Sequence, residues 1–416
     1  MTAIIALLPL LLTAAILLAG NGLQGTLIAL RAVDEGFSAT AVGLVGAAYY
    51  AGFICGCFLA PKLVQRVGHI RVFAALAAMA AAGTLLLVLI VDPLSWSIVR
   101  FAMGFCFSGL FTIVESWLNE RAENADRGRI LSVYRMIDLF SVAGIQLLLP
   151  ALGVGGFTAF AITAILFCLS LVPVSLGDRS SPKPPEAFRL DIAGVWRLSP
   201  LASTVAITIG MTNGAFRMLG PVYARHIGLD VTGAALFISA GILGGGVLQY
   251  PFGLISDRID RRFAVIIATG GATFAGLALY FFANHSVLVV YACAFLFGAF
   301  AMPLYSLAAA HANDRGHEGQ FVLIAAGLLF FFAVGAAVGP VIASIIMDRF
   351  GAPAFFLYTS VLHGWLIIAA LSRIALRPAP ASERRTRFVT LLRTSPVQFR
   401  LYRRLTRPRN DDNVHG

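Results

Sequence analysis

The sequence predicts an all-α integral membrane protein with twelve transmembrane helices in two pseudo-symmetric six-helix bundles. Three observations carry that expectation. Of the 416 residues, 59% are hydrophobic and only 12% charged, with a mean hydropathy of +0.85, whereas soluble domains are about half apolar and a quarter charged. The apolar residues gather into stretches of about 20, the length that crosses a ~30 Å hydrocarbon core. The first two spans, shifted by 192 residues, also fall on spans seven and eight. A soluble enzyme, a disordered chain and a nucleic-acid-binding domain are excluded as the main body.

In chain order the spans lie near 4–30, 39–60, 72–91, 95–118, 129–150, 157–176, 200–222, 231–253, 263–283, 286–310, 320–347 and 354–372. They divide the chain into a first bundle (1–176), a polar linker (177–199), a second bundle (200–373) and a basic tail (374–416). The linker, Gly177 to Ser199, is rich in proline and charge and cannot bury a core. A cleavable leader is the competing reading of residues 4–20, but that stretch lacks the positive flank such leaders carry. Cys55, Cys57, Cys106, Cys168 and Cys293 all fall in apolar stretches and read as small packing residues, with no disulfide framework or zinc spacing.

The net charge of +11 sits on alternate connections. Lys62, Arg66 and Arg71 follow span two; Arg121, Arg127 and Arg129 follow span four; Arg179, Lys183, Arg189 and Arg197 follow span six. Arg258, Arg261 and Arg262 follow span eight, Arg315 follows span ten, and Arg373 to Arg409 fill the tail. The other side holds only Arg31, Arg225 and Arg349. Basic loops stay in the cytoplasm, so both termini are expected there.

The repeat needs no gaps. Asn21-Gly22 falls on Asn213-Gly214, Gly36 on Gly228, Gly52 on Gly244 and Arg66 on Arg258. The loop Pro61-Lys-Leu-Val-Gln-Arg-Val-Gly-His-Ile-Arg71 therefore aligns with Gly253-Leu-Ile-Ser-Asp-Arg-Ile-Asp-Arg-Arg262. Two similar halves of this kind are a transporter architecture.

The second loop resembles the major facilitator motif G-x-L-x-D-R-x-G-R-R, with Asp260 where the family has glycine. The first copy is more degraded: Pro61 and Gln65 replace the glycine and the aspartate. Arg100-Phe-Ala-Met-Gly104 is similar to the family's R-x-x-x-G motif, common in proton-coupled members. Gly144, Pro150, Gly153, Gly155 and Gly156 loosely resemble the antiporter signature of span five. With Arg66-Val-Gly-His-Ile-Arg71 and Met302-Pro-Leu-Tyr305, the whole resembles the bacterial YcaD-like branch of the superfamily. The resemblance implies the major facilitator fold in an inner membrane and solute transport by alternating access. It also implies a gate in which Asp257, with Arg258 and Arg66, works against Arg127 or Arg129. The plainer alternative is that these charges only solvate tight turns and set orientation.

An ionisable group inside a span costs about 2.5–3.5 kcal/mol at mid-helix, so each needs a reason. Arg100, Arg135 and Arg217 are such groups, against one clear acid, Asp138, with Glu115 nearer the cytoplasmic end of span four. Arg135 and Asp138 are three apart and share a helix face. Asp138 lies ~13 Å deep, close to mid-membrane. It is read either as a carboxylate whose proton affinity changes with its neighbour or as half of a permanent structural pair, and Arg100 is read either as a structural motif residue or as a partner in proton transfer.

Arg217 and Asn213 share a face of span seven, and their counterparts in span one are Asn21 and Gln24. Arg217 is read as an anion-binding group with amide partners, or as an arginine snorkelling to headgroups. Three arginines to one or two acids favour an anionic or carboxylate-bearing solute, because planar guanidinium matches such groups. Arg135 and Tyr305 complete the expected substrate set. Tyr49, Tyr50, Gln146, Gln249, Tyr250, His363 and Trp365 are softer candidates, each more readily explained by packing. No P-loop, nucleophile elbow or metal-ligand cluster is visible, so neither a cofactor nor an enzymatic activity is expected. The basic, amphipathic tail is expected to adhere to anionic inner-leaflet lipids. A monomer with no nucleic-acid partner is expected. A polyspecific drug or sugar exporter, and a non-transporting scaffold or assembly factor, remain the alternatives.

Overall fold

The computed structural model describes residues 7–121, 127–176, 190–282, 286–317 and 320–376, with residues 119–121, 127–129, 131, 321 and 322 described by backbone alone. The basic tail beyond 376, residues 177–189 of the linker, and the side chains of Arg127 and Arg129 lie outside the described residues. The described chain is all-α. Eleven helices are long and apolar enough to cross a membrane, and a bent pair supplies a twelfth span.

The first half comprises α1 (Leu8–Asp34), α2 (Ala39–Val67), α3 (His69–Leu89), α4 (Pro93–Arg121), α5 (Arg127–Ile145), a short α6 (Leu149–Leu152) and α7 (Thr158–Leu176). After the linker come α8 (Ile192–Leu198), α9 (Pro200–His226), α10 (Val231–Arg258), α11 (Arg261–Phe281), α12 (Val287–Ala301), α13 (Leu304–Asn313), α14 (Phe321–Phe350) and α15 (Ala354–Leu376).

Three elements depart from the sequence expectation, each for a local reason. Span five is not continuous: α5 gives way to a 3-10 turn, Gln146–Leu148, and then to α6, where Pro150 sits at the helix start. Proline lacks the N–H that would have continued the helix. Span ten breaks at Met302-Pro303 for the same reason, into α12 and α13. The end of the linker folds as α8, bent 114° from α9, with Asp191 capping it by accepting from the Gly194 amide. Val195 is buried against Gly327, and Trp196 packs edge-on against Phe331.

The repeat is visible in the packing. In the first half α2 packs on α4, α1 on α5, and α3 on α7; in the second, the counterparts α10 and α12, α9 and α14, and α11 and α15 pack in the same way. Gly52 and Gly104 bring α2 and α4 together so closely that an added Cβ would stand 1.8 Å from the carbonyl oxygens of Phe101 and Tyr49. Gly244 and Gly298 do the same for α10 and α12, against the carbonyls of Phe295 and Gly241. Small residues at such seams let backbones approach, which is how helices associate when lipid supplies no hydrophobic drive. The halves meet along α2 with α14, α1 with α9, and α5 with α10.

Candidate functional site

One end of the bundle carries Arg66, Arg258, Arg261 and Arg262 and is called the basic end; the other carries Asp34 and Asp348. Between the halves, at mid-depth, lies a cavity with about 760 Å³ of atom-free space, its mouth included. The first half supplies Leu18 and Asn21 from α1, Tyr49, Tyr50 and Phe53 from α2, and Phe111 from α4. Arg135, Asp138 and Val142 follow from α5. The second half supplies Asn213 and Arg217 from α9, with Phe332 and Ala333 from α14.

Several residues singled out in the sequence thus come together. Asn21 and Asn213 are repeat mates and both line the cavity. The Asn213 amide has neither its oxygen nor its nitrogen hydrogen-bonded among the described residues. Buried polar groups are rarely left so. Arg217 is exposed to the cavity and forms no ion pair among the described residues. At the 192-residue offset its exact mate is Gly25 and not the neighbouring Gln24, and an added Cβ there would meet open space, so the guanidinium has no matching group across the pseudo-twofold axis.

Arg135 and Asp138 pair at 2.6 Å, both partly exposed. Arg135 also donates to Gln249 Oε1 at 3.4 Å, and Gln249 in turn donates to Ser306 Oγ at 2.9 Å. The α5 ion pair is therefore joined to the second half through an amide.

Arg100, Gln24 and Tyr305 stand behind the wall. Arg100 is 5% exposed and lies over the Tyr49 ring, 4.2 Å from its centroid. It donates to Gln24 Oε1 at 3.2 Å, and Gln24 is bound in turn to Thr84 at 2.7 Å. The Tyr49 hydroxyl reaches Asn21 Oδ1 at 3.2 Å. Arg100 thus shapes the cavity through Tyr49 instead of touching it. Tyr305 is buried with its ring against Phe332.

At the basic end, Asp257 pairs with Arg261 at 3.4 Å, and Arg261 with the buried Asp314 at 2.6 Å. Arg258 and Arg66 are exposed. In the first-half loop the motif glycine, Gly68, takes a positive φ of 91°. Its mate Asp260 instead caps α11 from extended backbone and grips Arg262 at 2.6 Å. Burial pushes the Asp260 carboxyl up, but the Arg262 side chain and amide outweigh it and hold it below the usual carboxylate range.

Sequence reasoning missed two features. The aromatic wall of Phe53, Phe111 and Phe332 has no sequence signal, because lipid-facing phenylalanines look the same. The ties at the far end were also missed: Asp348 accepts from the Ala39 and Thr40 amides at 3.0 and 2.8 Å, and Arg225 pairs with Asp34 at 3.4 Å. An acid one turn from the end of a span was the available clue.

Two repeat-related helical bundles around a central polar cavity have the architecture of a membrane transporter. The model of the Major Facilitator Superfamily matches residues 10–319 and, again, 202–409. The chain belongs to that superfamily. It is similar to an MFS-type transporter of Enterobacter sp. (strain 638), 26% identical over 367 residues, 86% of this chain and 93% of that one. It is also similar to the MFS-type transporter YcaD of Escherichia fergusonii, 25% identical over 80% of this chain and 86% of that one. Among solved structures, the nucleoside transporter NupG shares the fold with a TM-score of 0.74 at 12% identity, covering 89% of this chain and 99% of its own. The D-xylose-proton symporter does so with a TM-score of 0.67 at 16% identity, covering 91% and 98%.

Proposed function

We propose that this secondary transporter carries a small organic anion, its carboxylate held by Arg217 and Asn213. The carrying observation is the Arg217 guanidinium in the cavity wall, without an ion pair among the described residues, on the same helix as the unsatisfied Asn213 amide. A guanidinium presents a planar fork that matches a carboxylate, and hydrogen bonds to charged groups contribute about 1.5–3 kcal/mol each. Tyr50, Phe53, Phe111 and Phe332 offer the solute's body an apolar surface. A cation would meet one carboxylate, Asp138, already neutralised by Arg135.

In this reading the two halves rock about the cavity. The basic end faces the cytoplasm of an inner membrane, as the distribution of arginine favours. Asp138 carries a coupling proton: taking it up weakens the bond to Arg135 and frees that arm of the arginine for substrate.

The test is thermal stabilisation of the purified protein by anionic, neutral and cationic solutes, followed by flux in proteoliposomes. A ligand at 100 times its dissociation constant adds about 2.7 kcal/mol. Carboxylates are expected to stabilise the protein, Arg217→Ala to abolish the effect, and Arg217→Lys to keep part of it. Stabilisation by cations alone would overturn the reading, as would an unchanged carboxylate response in Arg217→Ala. For Asp138, the expected result is an Asp138→Asn variant that still exchanges solute but no longer responds to an imposed pH gradient.

A further inference from the structure

Next to the central cavity a second hollow, with about 350 Å³ of atom-free space, its opening included, lies along the seam between α2 and α14. The two hollows share Ala333, and on α2 their walls are consecutive residues, Phe53 in one and Ile54 in the other. On α2 the lining moves from Tyr49–Phe53 to Ile54–Phe58, and on α14 from Phe332 back to Ala326–Phe330. At 1.5 Å per residue, the second hollow lies ~6–8 Å nearer the basic end.

Its chemistry is different from that of the cavity. Ile54, Phe58, Leu329 and Phe330 face it, with Leu190 from the chain entering α8, and no lining residue is charged. The one side-chain heteroatom, the Cys57 sulfur, already accepts the Ser108 hydroxyl at 3.3 Å. The hollow therefore offers an occupant only apolar burial and dispersion. Toward the other end the same seam is shut: an added Cβ on Gly43 would stand 2.6 Å from the Pro340 carbonyl oxygen.

We infer that this hollow is the tail site of an amphipathic organic anion. The carboxylate sits at Arg217 and Asn213, and an unbranched hydrocarbon chain runs along the α2–α14 seam past Ala333 into the pocket between Ile54 and Leu329. The inference rests on the anion reading of the cavity and narrows it to monocarboxylates with a chain of several carbons. Charge complementarity fixes which end of the ligand goes where, since the guanidinium lines the first hollow, the second is dry, and Ala333 borders both.

The test is the affinity of the purified, detergent-solubilised protein for butanoate, hexanoate, octanoate and decanoate, with decanol as the uncharged control. Affinity is expected to rise by up to about fourfold per methylene until the pocket is full, then to level off. Ala326→Phe, which fills the pocket, is expected to flatten the series while leaving butanoate unchanged; Cys57→Phe does the same from the opposite wall if the first variant does not fold. Equal affinity for butanoate and decanoate overturns the tail site and leaves the anion site standing. Decanol binding as tightly as decanoate also overturns it, as simple partitioning. No binding of any carboxylate overturns the anion site itself.

Discussion

Asp348, near the end of α14, caps the first turn of α2: its carboxylate takes the Thr40 amide at 2.8 Å and the Thr40 hydroxyl at 2.5 Å. The two residues belong to different halves, so a helix start in one bundle is completed by an acid from the other. A carboxylate at a helix N-terminus is favourable, because the first amides have no partner within the helix and carry the positive end of its dipole.

Removing that charge loosens the far-end closure. Asp348→Asn is expected to cost about 1–2 kcal/mol of the contact between halves, a shift of roughly 5- to 30-fold in the open-to-closed ratio on that face. Spin labels at Glu35 and Phe350 read the change as growth of a longer-distance population; an unaltered distribution would count against the latch.

The stacking of Arg100 on Tyr49 predicts an asymmetry between two substitutions. Tyr49→Phe keeps the ring under the guanidinium and loses only the bond to Asn21. Tyr49→Leu removes the π face from a buried cation and is expected to be less stable than Tyr49→Phe by about 1–2 kcal/mol. Melting of both variants in one detergent compares them.

Two glycines separate close packing from open space. Gly52→Ala drives a methyl group into the Phe101 carbonyl and is expected to cost upwards of about 2 kcal/mol by forcing α2 away from α4. Gly25→Ala meets nothing and is expected to be neutral or to stabilise α1 by up to about 1 kcal/mol. Comparable melting losses in the two variants would contradict the α2–α4 seam.

Asp260 gives a pH signature. Its carboxyl is held below the ordinary value of 3.8, so the ionised form is favoured in the folded state. The stability it contributes is present above 3.8 and is lost as pH falls through the lower folded value. Asp260→Asn is therefore expected to be less stable than the parent at neutral pH. Denaturation at a series of pH values should show that gap closing only below about pH 4; a gap that persists in acid would assign the effect to shape and not to charge.

The sequence was enough for the membrane class, the approximate spans and the internal repeat, and it singled out Asn21, Arg135, Asp138, Asn213 and Arg217, which the structure places on the cavity wall. These were legible because a polar group is costly in hydrocarbon and therefore rare, so each one stands out. Periodicity also placed Arg135 with Asp138, since three residues along a helix is a local relation. The breaks at Pro150 and Pro303 were written in the chain as well, but their effect depends on whether neighbouring helices restore the lost bonds.

What only the tertiary structure decided was which face of each helix meets which neighbour. Arg100 and Gln24 turn toward Thr84 and Tyr49, behind the cavity, although their sequence spacing resembles that of residues which face it. Phe53, Phe111 and Phe332 turn inward, although nothing distinguishes them from phenylalanines facing lipid. In water, burial sorts apolar from polar faces and leaves a pattern in the sequence. In a bilayer both the lipid-facing and the protein-facing surfaces are apolar, so that pattern is erased and the long-range ties, such as Asp348 to Thr40, exist only once the halves have met.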